Sequence, residues 1–173
     1  MNDELIILAI EGCCCSGKTT FAGRLAEQFD CNVFHMDDFF LRPFQRTEER
    51  LAIPGGNVDY ERFKEEVLIP VTRGMPFAYR PFDCHAMLLA KSVYVEPKRI
   101  NIVEGTYSMH PALRAFYTDS IFLEISFEEQ LRRLSLRETP ESYQRFLDKW
   151  LPLERQYFDT FKPRELCGHV FST

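Results

Sequence analysis

The chain has 173 residues, with 26 acidic and 21 basic side chains and a formal net charge of −5. Hydrophobic residues make up 45% and charged residues 27%, which excludes disordered, collagen-like and low-complexity chains and predicts one globular domain over 1–173. The acidic balance argues against gripping nucleic acid or an anionic membrane by charge, and the longest apolar run, Leu5 to Ile10, is far short of the roughly 20 residues of a membrane helix.

The opening Met1-Asn2-Asp3-Glu4 is acidic where a secretory signal is basic, so a soluble, cytoplasmic protein is expected. Leu5–Ile10 then reads as a buried strand, and Gly12–Thr19 as a turn of small residues. From Lys18 onward Phe21, Ala22, Leu25, Ala26 and Phe29 recur at helical spacing. Val33–Met36 predicts a second strand, and Leu41–Val58, with Pro43, Pro54, Gly55 and Gly56, a loop. Tyr60, Phe63, Val67 and Val71 mark a helix ending near Gly74. Strands follow at Ser92–Val95, Ile100–Val103 and Ile121–Ile125. The next helix should turn Phe127, Leu131 and Leu134 inward. Glu141–Phe161 reads as helix kinked by Pro152, and Val170 and Phe171 as a last strand.

Strands alternating with helices predict a parallel sheet covered on both faces, with ligands beyond the carboxyl ends of its strands. The six cysteines include the run Cys13-Cys14-Cys15 and no C-x-x-C pair, which suits free thiols better than disulfides or zinc.

The first strand runs into Gly12-Cys13-Cys14-Cys15-Ser16-Gly17-Lys18-Thr19, a full match to G-x-x-x-x-G-K-[ST], followed by Thr20. Such a loop turns successive N–H groups and a helix N-terminus toward one anion. Lys18 adds a point charge for the outer phosphates of a nucleotide, and the Thr19 hydroxyl suits Mg²⁺. Glu104, at the end of the Ile100–Val103 strand, is either an ordinary strand end or a carboxylate that holds the metal through a water beside the loop. Asp37 follows the second strand, where a carboxylate can take a proton from an acceptor hydroxyl or simply cap a turn. Arg133 and Arg137 share a helix face, either as a solvated basic surface or as cations for a moving phosphoryl group.

The order of Gly12–Thr20, Asp37-Asp38-Phe39-Phe40, Asn57-Val58-Asp59, Glu104-Gly105 and Arg133…Arg137 resembles the uridine kinase family, from about Leu5 to Val170. An Asp-Asp-Phe-Phe segment after the second strand is also found in its relative, nicotinamide riboside kinase. The resemblance implies a P-loop NTPase of three α/β/α layers with a mostly parallel five-stranded sheet. It implies a substrate-side insertion around 41–99 and a lid around 126–145. It further implies transfer of the ATP γ-phosphoryl group, with Mg²⁺, to a hydroxyl of a nucleoside-like small molecule. Asp37 matches the family's general base, Asp59 the aspartate that holds ribose hydroxyls, and Arg133 and Arg137 the lid arginines. Tyr79 and Asp83 fall in its substrate segment. His85 follows Asp83 by two residues where the family histidine follows by three, and Gly168-His169 replaces the family's Ala-Asp. Other readings are a kinase of another hydroxyl acceptor, such as a vitamin riboside or a sugar acid, and a nucleotide-driven switch. The guanine-reading Asn-Lys-x-Asp of GTPase switches is absent from the sequence.

Overall fold

The computed structural model describes residues 4–173, so Met1–Asp3 of the acidic start lie outside it. Five strands form one parallel sheet: β1 (Ile6–Gly12), β2 (Cys31–His35), and, after the intervening segments, β7 (Ile100–Glu104), β8 (Asp119–Glu124) and β9 (His169–Ser172). Their spatial order is β2-β7-β1-β8-β9, with β1 in the centre. Parallel strands buried on both faces are mostly apolar on both, as in Ile6–Ile10, and the one polar residue of Ile100–Val103, Asn101, is buried and hydrogen-bonded to Asn32 and to the Lys98 carbonyl. Ile7, Phe34 and Val103 enter a large core with Met36, Phe63, Leu68 and Tyr157, whereas Ile10, Ile102 and Leu123 enter a smaller one with Ala22.

Helix α1 (Lys18–Gln28) covers the second face. Beyond β2 a 3₁₀ turn (Met36–Phe39) begins where the sequence predicts a last strand residue, Met36. The predicted 41–58 loop contains a 3₁₀ turn (Pro43–Gln45) and a short helix, α2 (Glu48–Ala52), capped by Thr47. The predicted helix from Tyr60 to Gly74 is α3 (Tyr60–Phe63), a π-helical stretch (Lys64–Leu68) and α4 (Ile69–Arg73), ended by Gly74 in the left-handed region. Two small antiparallel ribbons follow, β3 (Phe77–Tyr79) with β6 (Val93–Val95) and β4 (Phe82–Asp83) with β5 (Leu88–Leu89). The predicted Ser92–Val95 strand therefore belongs to a ribbon and not to the central sheet.

Past β8 come α5 (Phe127–Arg137), α6 (Pro140–Arg145), a second π-helical stretch (Phe146–Trp150), α7 (Leu151–Phe161) and α8 (Pro163–Leu166). The kink expected at Pro152 takes the form of that widened turn. Proline brings no N–H and its ring presses on the carbonyl four residues back, and a wider turn relieves both. Pro70 ends the other π-helical stretch in the same way. On α5 the sequence expectation fails in part: Leu134 is fully buried, but Phe127 is half exposed and Gln130 is buried instead. Gln130 Nε2 donates to Glu154 Oε1 of α7 at 2.7 Å, a polar reason for an inward face that apolar spacing does not register. No helix among the described residues is long and apolar enough to cross a membrane.

Candidate active site

The C-terminal ends of β1, β2 and β7 meet at a cavity of about 1030 Å³, within the usual scale of ligand sites. The Gly12–Thr19 loop forms one wall. Gly12, at φ +153°, is required there because a Cβ would stand 2.4 Å from the Leu123 carbonyl oxygen. Gly17 caps α1 in the left-handed region at φ +88°, and Cys15, a non-glycine, is held there too at φ +64°. Helices α2, α3, α5 and α6 each begin with a side-chain cap, from Thr47, Asp59, Ser126 and Thr139, but α1 has none. Its first-turn N–H groups lack partners within the helix and face the site, a cradle for an anion.

Lys18, at the helix start, is only 8% exposed. Its ammonium folds back on the loop and donates to the carbonyls of Gly12 (3.0 Å) and Cys13 (2.8 Å) and to Thr106 Oγ1 (3.3 Å). A compact cation in a concave loop takes the nearest acceptors, and these hold it at the mouth of the cradle. Thr19 Oγ1 donates to Glu104 Oε1 at 3.0 Å. The β2–β7 register sets His35 opposite Glu104, and His35 Nδ1 lies 2.6 Å from the same oxygen. That bond holds the imidazole above its usual range. Thr19 and Glu104 give a hydroxyl and a carboxylate beside the anion cradle, a set of hard oxygen donors that fits Mg²⁺.

Asp37, in the 3₁₀ turn after β2, faces this cavity. It makes no side-chain hydrogen bond or ion pair among the described residues, so it caps nothing. The surrounding protein raises its pKa by desolvation, Glu104 adds to the rise, and Lys18, Arg137 and His35 oppose it. Arg133 and Arg137 of α5 complete the opposite wall. Arg133 Nε donates to Glu129 and its Nη1 to the Cys15 carbonyl at 3.2 Å, while Arg137 Nε donates to Glu138. Cys14, Cys15, Thr20 and His85 also line the cavity. Cys13 faces a separate cavity of about 460 Å³ behind the loop, and Gly12 and Ser16 are buried beneath it. All six cysteines are free. The Cys15 thiol is pulled down to about 7, first by a hydrogen bond from Cys14, then by Arg137 and Lys18, against desolvation.

Three residues matched to an acceptor by resemblance stand elsewhere. Asp59 is 2% exposed and does not reach the cavity wall. Its Oδ1 caps α3 by accepting the Arg62 N–H, and its Oδ2 accepts Gln45 Nε2 at 2.8 Å, with Arg42 and Arg62 each 3.7 Å away. An aspartate that opens a helix amid arginines is consumed by the fold. Asp59→Ala is expected to lower stability by about 2 to 4 kcal/mol, from the lost cap and the stranded Gln45 and Arg62 donors. Urea unfolding measures this, and Asp59→Asn, which still caps, should lose less. Tyr79 is buried, stacked on Phe39, and donates to Asp38 Oδ2 at 3.4 Å. Asp83 is exposed and accepts the His85 and Ala86 N–H groups, which shapes the turn that carries His85 to the cavity.

Two carboxylates not singled out by the sequence organise the loop from behind. Glu154 Oε2 accepts the Cys14 N–H at 2.9 Å, tying α7 to the loop. Glu11, fully buried, accepts four donors: the Gly12 and Tyr107 N–H groups on Oε1, and the Met109 N–H and Tyr157 hydroxyl on Oε2. Burial raises its pKa to about 7 against those donors and Lys18. A carboxyl raised in the folded state binds more protons than its unfolded counterpart between pH 4.5 and 7, so its contribution weakens the fold as pH rises through that window. Glu11→Gln should remove that part of the slope in thermal melts. It should also cost about 2 to 4 kcal/mol, because the amide NH₂ faces donors.

No protein-family model matches the chain. Among solved structures, a protein described as a possible uridine kinase from Bacillus stearothermophilus superposes with a TM-score of 0.75 at 20% identity, covering 97% of this chain and 89% of that one. A protein assigned as a fructose transport system kinase from a Silicibacter species gives 0.75 at 22% identity over 97% and 90%. D-glycerate 3-kinase from Cryptococcus neoformans gives 0.60 at 13% identity over 89% and 79%. With its five parallel strands between helical layers and its phosphate loop after the central strand, the chain has the fold of the P-loop kinases.

Proposed function

We propose that the protein is a kinase that transfers the γ-phosphoryl group of ATP to a hydroxyl of a small molecule. The observation that carries this reading is Asp37: a carboxylate without a structural partner, facing the same cavity as the phosphate loop. A carboxylate there can take the proton of an acceptor hydroxyl or of water, and acceptor-dependent ADP release separates a kinase from a nucleotide-hydrolysing switch. The resemblance to uridine kinases makes a nucleoside the first acceptor class to try. The neighbours named for fructose transport and D-glycerate add sugars and sugar acids.

In this mechanism the loop N–H groups and Lys18 hold the β- and γ-phosphates, and Arg133 and Arg137 face the oxygens that gain charge during transfer. Asp37 accepts the proton of the attacking hydroxyl. Thr19 and Glu104 would hold Mg²⁺, which supplies positive charge to the outer phosphates when bound. Glu104→Gln should raise the Mg²⁺ concentration at half-maximal rate by about tenfold or more, since a carboxylate ligand becomes a neutral amide. An unchanged Mg²⁺ titration would remove Glu104 from the metal site. The reading is tested by scoring nucleosides, ribosides, sugars and sugar acids for acceptor-dependent ADP release. ADP release at one rate with every acceptor and with none would favour the nucleotide switch.

A further inference from the structure

The 41–62 segment that walls the acceptor end carries four arginines, Arg42, Arg46, Arg50 and Arg62, and all but Arg46 are neutralised locally. Arg42 approaches Asp59, Arg50 grips Glu61 through both terminal nitrogens, and Arg62 pairs with Glu66. Arg46 differs: among the described residues it has no carboxylate within ion-pair distance. Its Nε donates to the Leu41 carbonyl at 2.8 Å and its guanidinium carbon lies 5.5 Å from the centre of the Phe82 ring. The side chain is thus fixed at one nitrogen and along one face, and it lines the same cavity as Asp37, Asn57 and His85. The Cys84 thiol, on the same cavity wall, is raised mainly by burial, pulled back by Arg46 and pushed further up by Asp37.

The cations on the rest of the wall divide the work. Lys18, Arg133 and Arg137 surround the phosphate loop, and Arg145 and Lys149 come from the α6–α7 side. Arg46 comes from the 41–62 segment of the same wall. An anchored guanidinium without an anionic partner among the described residues, in the same cavity as a candidate proton acceptor, is an incomplete fork–carboxylate or fork–phosphate pair.

We infer that Arg46 is a specificity-determining residue that binds an anionic group of the acceptor, a carboxylate or a phosphate ester on a polyhydroxy compound. This rests on the kinase reading for the reaction, but the subsite itself is a binding property. Asp59, the carboxylate matched to ribose hydroxyls by resemblance, is buried, whereas Arg46 is partly exposed on the cavity wall.

The test measures binding and turnover separately. Trp150 is the single tryptophan and lines the cavity, so its fluorescence reports ligand entry without catalysis. Aldonic acids and sugar phosphates are titrated beside their neutral polyols and sugars and beside uridine, and the same compounds are scored for ADP release with MgATP. The expected result is binding and turnover of one anionic class, the two arms telling carboxylate from phosphate ester. Arg46→Gln should raise its KM and its fluorescence Kd about ten- to a hundredfold while leaving the KM for ATP unchanged. Arg46→Lys should recover part of the loss, which a merely structural role would not show. Arg46-dependent binding of anions without turnover of any acceptor keeps the subsite and removes the kinase reading. Turnover of neutral acceptors with Arg46→Gln unaffected keeps the kinase reading and overturns the subsite. Neither binding nor turnover overturns both.

Discussion

Replacing Lys18 with alanine is expected to lower kcat/KM for ATP by about a hundred- to a thousandfold, the usual cost of one preorganised charge at a transition state. The ammonium is held by Gly12, Cys13 and Thr106 at the mouth of the anion cradle. Its removal leaves two loop carbonyls and a threonine hydroxyl with one donor fewer, at a site bordering the cavity where water can enter. A drop in melting temperature should therefore be small beside the kinetic loss. Steady-state kinetics with a thermal melt on the same preparation separates the two. Near-normal turnover at saturating ATP would show that the loop does not hold the transferred phosphates.

Asp37→Asn should produce the second large effect, a fall in kcat of about a hundred- to ten-thousandfold with the KM for ATP nearly unchanged. The substitution keeps the shape of the side chain and removes only its capacity to take a proton. Because Asp37 carries no cap and no ion pair, little stability is at stake. The pH profile gives a second reading of the same role. The carboxyl sits above its ordinary range through desolvation and Glu104, so the wild-type acidic limb should fall at a pH above that of an ordinary aspartate and should vanish in Asp37→Asn. An equal loss in kcat from Asp38→Asn would instead point to disturbance of the turn, since Asp38 is engaged by Tyr79.

What the sequence made legible was contiguous. The loop motif, the strand before it and the helix after it lie within a few residues, and Glu104 and Asp37 follow directly from strand ends. The parallel sheet was legible for the same reason, since each strand is a short apolar run between helices. Other features depend on contacts far apart along the chain. Glu11 matters because Tyr157, 146 residues away, and the Tyr107–Met109 segment converge on it. Glu154 reaches Cys14 across 140 residues, and no local pattern around it differs from a solvated helix face. Asp59 shows the reverse difficulty. An aspartate opening a helix reads the same whether its second oxygen faces a ligand or an inward glutamine, and only the fold of the 41–58 segment brings Gln45 to it. Arg46 lies among charged residues that pair off one by one, so its singularity appears only once Asp59, Glu61 and Glu66 have been assigned to other arginines.

The most direct measurement of the account follows the phosphoryl group itself. A single turnover of enzyme with γ-³²P-labelled ATP and Mg²⁺ is quenched over time, with and without the acceptor that supports ADP release, for wild type and Asp37→Asn. The account predicts that label passes from ATP into an organic phosphate ester only when acceptor is present, and that Asp37→Asn binds ATP but transfers the label at least about a hundredfold more slowly. Label appearing only as inorganic phosphate, at one rate with or without acceptor and in both proteins, would contradict it.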